Sequence, residues 1–76
     1  MNYYEIGKRI AYCRKMCGYS QSYVAKYAKM DQSYYSKIER GLHIPSVKTL
    51  YSIACVLGVS VDYLLGRENT IYVYQI

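Results

Sequence analysis

The 76-residue sequence has no tryptophan and no phenylalanine, a single proline (Pro45), a single histidine (His43) and only five acidic side chains. Each scarcity closes off a class of function. One loop histidine offers no nucleophile–base pair, and neither paired carboxylates nor a phosphate-cradling glycine loop stands elsewhere, so neither an enzyme nor a cofactor is expected. The three cysteines, Cys13, Cys17 and Cys55, are odd in number and fit no metal-ligand spacing. Cys13 and Cys17 lie one helical turn apart, which favours packing over metal or redox chemistry. No apolar run approaches the ~18–20 residues of a membrane span, and the N-terminus lacks the hydrophobic region of a secretory signal. The expectation is a cytoplasmic protein with no membrane partner. A chain this short makes one domain that buries only about 60% of the surface its unfolded form exposes. That leaves no room for an effector-binding domain, and no small-molecule effector is evident.

What is present is tyrosine and positive charge: twelve tyrosines, ten Lys/Arg and a net charge of +5. The charge is unevenly spread. Residues 1–48 carry nine basic side chains against Glu5, Asp31 and Glu39, a balance of +6, whereas residues 49–76 carry Arg67 against Asp62 and Glu68, a balance of −1. A basic N-terminal part beside a neutral, apolar C-terminal part suggests one face for a polyanion and another for protein. A solvated basic surface is the plainer alternative, and an underlying binding motif counts further against it.

That motif is the stretch SQSYVAKYAKMDQSYYSKIERG, residues 20–41. Ser20 is a helix cap, because its hydroxyl can accept from a backbone N–H left unpaired in the first turn. Val24, Ala25 and Ala28 follow at helical spacing, with Ala25 small where two steeply crossing helices need close approach. Asp31 repeats the capping signal, Tyr35 and Ile38 mark a buried face, and the second helix ends at Arg40 before Gly41. Two helices this short cannot make a core alone, so the flanking segments must cover them. Asn2 with Glu5 resembles a capping box, opening a first helix near Tyr3 with Ile6, Ile10, Cys13 and Cys17 on one face and Gly18 as its stop. Tyr19 is placed to pack on Val24 ahead of the Ser20 cap. After the loop 41–45, Ser46 caps a fourth helix with Val47, Leu50, Ile53, Ala54 and Leu57 on its core face. Gly58 ends it, and Ser60 caps a short fifth helix holding Val61, Leu64 and Leu65 before Gly66. The last ten residues, RENTIYVYQI, alternate β-branched and aromatic side chains and read as an extended strand. With no other aromatic type, some tyrosines must replace core residues, at the core edge with their hydroxyls reaching water or phosphate.

In its pieces IGKRI (6–10), SQSYVA (20–25), SYYSKIERG (33–41), PSVKTL (45–50) and IACVLGVSVDYLL (53–65), the sequence resembles the lambda-repressor-like, Cro/XRE-type helix-turn-helix family of phage and bacterial regulators. The resemblance covers residues 6–65 in order and nearly in spacing. It implies an all-α, compact five-helix DNA-binding domain over residues 1–66, followed by a short extended tail over 67–76 as a candidate dimerisation strand. The implied function is sequence-specific binding of double-stranded DNA through the major groove, as a homodimer on a palindromic operator, to regulate transcription. Repression by occlusion is expected. The alternative is an antitoxin-like protein-binding module with secondary DNA binding.

By the family pattern, base contacts fall to Gln32, Ser33, Ser36 and Lys37 in the first two turns of the recognition helix. Gln can bind adenine in bidentate fashion, Lys can donate to guanine, and Ser can pair with either. Phosphate contacts fall first to Gln21, where the family places a Gln beside a helix N-terminus, and then to Tyr23, Tyr34, Arg40 and Lys48 by position and donor type. The family's ion pair between helices one and three maps to Arg14 and Glu39. Two positions depart from the pattern. Tyr35 stands where Ile or Val is usual, and Lys29 occupies a turn position normally held by Gly, which predicts a strained left-handed backbone. For the dimer, two recognition helices must sit about 34 Å apart. The uncharged run of Ile71, Tyr72, Val73, Tyr74 and Ile76 is the expected interface, extended by Tyr51 and Cys55 on the fourth helix.

Overall fold

Among the described residues, an oxygen-bearing side chain stands immediately before every helix and accepts a backbone N–H from its first turn. The computed structural model describes residues 2–67, which form five helices: α1 (Tyr3–Cys17), α2 (Gln21–Tyr27), α3 (Gln32–Glu39), α4 (Val47–Leu57) and α5 (Val61–Leu64). Asn2 accepts from Tyr4 and Glu5, Ser20 from Tyr23, Asp31 from Tyr34, Ser46 from Thr49 and Ser60 from Tyr63. Each such cap stabilises its helix by about 1 kcal/mol.

The helix ends are equally uniform. Residues 18, 29, 41, 58 and 66 all have positive φ, and four of them are glycine. The exception is Lys29, at φ 61°, as its place in the motif predicts. Its N–H donates to the Lys26 carbonyl (3.1 Å) and that of Met30 donates to Ala25 (2.9 Å), the paired closure that a left-handed residue makes possible. At the end of α3, Gly41 and Leu42 repeat the closure onto Ile38 and Lys37. The α2–α3 turn is therefore built like its neighbours, but on a residue whose Cβ is crowded there.

One core lies between the helices, with α1 packed on α3, α4 and α5, and α2 packed on α3 and α4. It consists of Ile6, Ile10 and Cys13 from α1, Val24, Ala25 and Ala28 from α2 and its end, Tyr35 and Ile38 from α3, Leu50, Ile53, Ala54 and Leu57 from α4, then Val59 and Leu64. Burying a large aliphatic side chain is worth about 1.5–3 kcal/mol, so these faces hold helices too short to persist alone. Burial first, and the nearby Cys17 second, push the Cys13 thiol up to about 11, so it stays protonated and serves as a packing residue.

Two sequence expectations are corrected. Val47 is 80% exposed: it opens α4, and a helical side chain leans toward the N-terminus, here beyond any partner helix. Cys17 is exposed at the last position of α1, although its Sγ lies 3.6 Å from the Leu57 carbonyl. Tyr19 packs half-buried against the core that holds Val24, and its ring also stacks on that of Tyr23, at 4.3 Å between centroids, with Tyr23 continuing to Tyr27 at 4.6 Å. The Arg67 N–H donates to the Asp62 carbonyl and closes α5. The expected strand and its Ile71, Tyr72, Val73, Tyr74 and Ile76 lie outside the described residues.

Candidate nucleic-acid interface

The site begins with what holds α3 in place. Gly7, inside α1, is buried, and a Cβ built on it would lie 2.4 Å from the Glu39 carbonyl oxygen and 2.6 Å from that of Ile38. The backbones of α1 and α3 thus meet directly. Glycine in a helix interior costs about 1 kcal/mol relative to alanine, and the close approach is what that cost permits. Gly41, just past α3, is similarly close to the Tyr4 backbone.

Beside this crossing sits Glu39, the buried charged residue of the core, with its side chain 5% exposed. Arg14 Nε donates to its Oε2 (2.6 Å) and Nη2 to its Oε1 (3.2 Å), the ion pair that the family resemblance implied, now in bidentate form. Tyr35 donates its phenolic proton to Oε2, and Gln21 Nε2 donates to Oε1 (2.9 Å). Arg14 Nη1 also reaches the Tyr19 carbonyl (3.0 Å), fixing the joint between α1 and α2. Four donors from three helices therefore converge on one carboxylate, and no buried polar side-chain atom among the described residues lacks a partner.

The electrostatics follow from this convergence. Burial works to raise the Glu39 pKa, but the hydrogen bonds from Arg14, Tyr35 and Gln21 outweigh it and hold the carboxyl below its ordinary value. The Tyr35 phenol moves the other way, raised by burial first and by its bond to Glu39 second. Tyr35 is 0% exposed, so the expectation that its hydroxyl would reach water or phosphate is wrong. The oxygen is satisfied internally by a carboxylate one helical turn away.

On the opposite face of α3 the polar groups point outward. Gln32 and Ser33, its first two residues, are exposed; Ser36 and Lys37, a turn later, are half-buried at its sides. The four proposed base-reading residues thus stand together on one short helix. Tyr34 is half-buried, its ring tilted against that of His43 at 5.4 Å, which ties the following loop to α3. Arg40 caps the end of α3 in solvent, and Lys48 is exposed on α4, where it shares a shallow hollow with Lys29, Thr49 and Ser52. Tyr23, 40% exposed, is the middle ring of the stack along α2. Gln21 stands apart from the other phosphate candidates, because its amide is already engaged inward with Glu39. A Gln at the start of a helix gave no sequence signal of that bond. Tyr51 and Cys55 are exposed and line an uncharged groove of about 680 Å³ with Cys17, Tyr19, Val59 and Val61. No helix among the described residues is long and apolar enough to cross a membrane.

Comparison with known proteins follows the same geometry. The family model described as helix-turn-helix matches residues 10–64. The HTH-type transcriptional regulator SinR of Bacillus subtilis is 45% identical over 65 residues, covering 84% of this chain and 59% of SinR. The immunity repressor protein of Bacillus phage phi105 is 36% identical over 66 residues, covering 87% of this chain and 46% of the repressor. A crystal structure of SinR, the master regulator for biofilm formation, in complex with DNA superposes with a TM-score of 0.76 at 48% identity, covering 79% of this chain and 97% of that one. The chain spans about half the length of the curated relatives it matches. With the helices α1 to α5 of its described residues and these relatives, the chain belongs to the lambda-repressor-like, Cro/XRE-type helix-turn-helix family.

Proposed function

We propose that the protein is a sequence-specific DNA-binding regulator of transcription that represses by occupying a palindromic operator as a dimer. The observation that carries this is the division of α3: a buried, four-donor carboxylate holds its inner side, while Gln32 and Ser33 stand exposed on its outer side with Ser36 and Lys37 half-buried beside them. A helix so held can enter a major groove and present side chains to base edges in fixed register. Gln21, Tyr23, Tyr34, Arg40 and Lys48 are assigned to the phosphates. The solved SinR complex with DNA and the phage relative named as an immunity repressor support DNA binding and repression respectively. Selection of bound sites from random duplexes tests the proposal. The expected result is an inverted repeat with half-site centres about one helical turn, or 34 Å, apart. Enrichment of no sequence, or of a single unpaired half-site, counts against the operator or the dimer respectively.

For the dimer, residues 1–66 act as the DNA-binding part and the segment beyond them as the contact between copies, through Ile71, Tyr72, Val73, Tyr74 and Ile76 with Tyr51 and Cys55. The uncharged groove beneath Tyr51 supports this, because the basic DNA side would repel its own copy. Deleting residues 70–76 should convert the dimer to monomer by mass in solution. A truncated chain that stays dimeric at equal concentration removes the tail from the interface. The same groove also supports the second reading, an antitoxin-like module for another protein. In that case the purified chain would bind DNA weakly and without base preference.

A further inference from the structure

The bond between Gln21 and Glu39 gives the buried carboxylate a task at the surface. Arg14 and Tyr35 fix the plane of the Glu39 carboxylate from α1 and α3, and Arg14 also holds the Tyr19 carbonyl two residues before Gln21. Both ends of the Gln21 side chain are therefore constrained: its backbone by that joint, its amide by Glu39 Oε1 at 2.9 Å. A carboxylate only accepts hydrogen bonds, so it admits the NH2 end of the amide and rejects the carbonyl end. One amide proton is spent inward, and the second is left on the far side of the nitrogen. A DNA phosphate is also acceptor-only, and it too needs that N–H; a flipped amide would show it a carbonyl oxygen.

Building on the DNA binding proposed above, we infer that Glu39 is a positioning residue for the DNA backbone, setting the polarity of the Gln21 amide so that its free proton meets a phosphate. Glu39 itself touches no DNA. The ion pair of the core and the Gln21 phosphate contact are then one device, and α1, α2 and α3 must be assembled before Gln21 is competent. A carboxamide at position 39 can both donate and accept, so it tolerates either orientation of Gln21. A carboxylate tolerates one.

The test is a double-mutant cycle of Gln21→Ala and Glu39→Gln, reading the affinity of the full chain for a short mixed-sequence duplex at low salt by fluorescence anisotropy, with unfolding followed separately. With Gln21 present, Glu39→Gln should weaken binding about three- to tenfold, the range of one ordinary hydrogen bond. In the Gln21→Ala background the same change should cost less than about twofold, since there is no amide left to orient. Equal weakening in both backgrounds makes Glu39 structural only and overturns the inference while leaving DNA binding intact. A Gln21→Ala protein that binds like wild type also overturns it. Failure of the wild type to bind the duplex removes the proposed function and this role together. Should Glu39→Gln not fold, the side-chain amide signals of Gln21 in the wild-type protein decide by NMR. One proton should be displaced in the free protein and the other should move on adding the duplex; neither proton moving overturns the inference.

Discussion

On the inner face of α3 the charged end of Glu39 is 5% exposed and accepts from Arg14, Tyr35 and Gln21, whereas on the outer face Gln32 and Ser33 leave their polar groups to solvent. Eight residues of helix thus carry two opposite arrangements of polar chemistry. Inside, every donor is matched and the network ties three helices together; outside, donors and acceptors remain open for a ligand. The difference separates two kinds of mutation. Inner changes should act on folding, and on binding only where Glu39 orients Gln21, whereas outer changes should act on binding with folding intact.

The hardest break of the inner face is Glu39→Ala, which leaves the Arg14 guanidinium half-buried without its partner and should cost about 3–5 kcal/mol in urea unfolding. Next is Gly7→Ala, where the new Cβ meets backbone carbonyls rather than a flexible side chain. Overpacking of this kind costs about 1–3 kcal/mol, outweighing the helix propensity gained. On the outer face, Lys37→Ala should leave the unfolding midpoint nearly unchanged and cost about 1–3 kcal/mol of affinity on the best site, with preference relaxed at one base pair. Binding to a panel of single-base variants checks this, and a uniform loss across the panel would remove Lys37 from base reading.

Acid sharpens the comparison further. The folded pKa of Glu39 lies below its ordinary value of 4.5, so the stability it contributes is complete above that value and is lost as pH falls through the lower folded one. Stability of the wild type should therefore decline on acidification below about pH 5, and more steeply than that of Glu39→Gln, in parallel urea titrations. The smallest effect belongs to the turn that aims both faces. Lys29→Gly should stabilise by about 0.5 kcal/mol, roughly 1 kcal/mol of left-handed strain less the extra unfolded-state entropy of glycine.

Much of this division was legible in the sequence because caps, stops and apolar spacing are local signals. Asn2, Ser20, Asp31, Ser46 and Ser60 all cap as their residue types suggest, and the left-handed Lys29 and the Arg14–Glu39 pair follow from the family pattern. What escaped is tertiary. Ala25 is buried as the small residue of the motif, but Gly7 makes the backbone contact between α1 and α3, and its only trace in the sequence is a glycine inside an otherwise sound helix. Helical spacing put Val47 and Cys17 on core faces, yet both sit at helix ends and remain exposed, Cys17 with only its Sγ against the end of α4. Tyr35 shows a similar limit. Its burial was readable from its place on the apolar face, but the acceptor for its hydroxyl depends on where Glu39 is held.

The direct backbone contact at Gly7 also bears on the thermodynamics of association. With carbonyls of α3 lying against the Cα of Gly7, α3 has little freedom to pivot on α1. A duplex whose groove departs from the ideal width must itself deform, at a cost set by its own sequence, so base steps that no side chain touches will influence affinity. Calorimetry should then show a heat-capacity change that scales with the surface covered, without the additional negative increment that accompanies folding on binding.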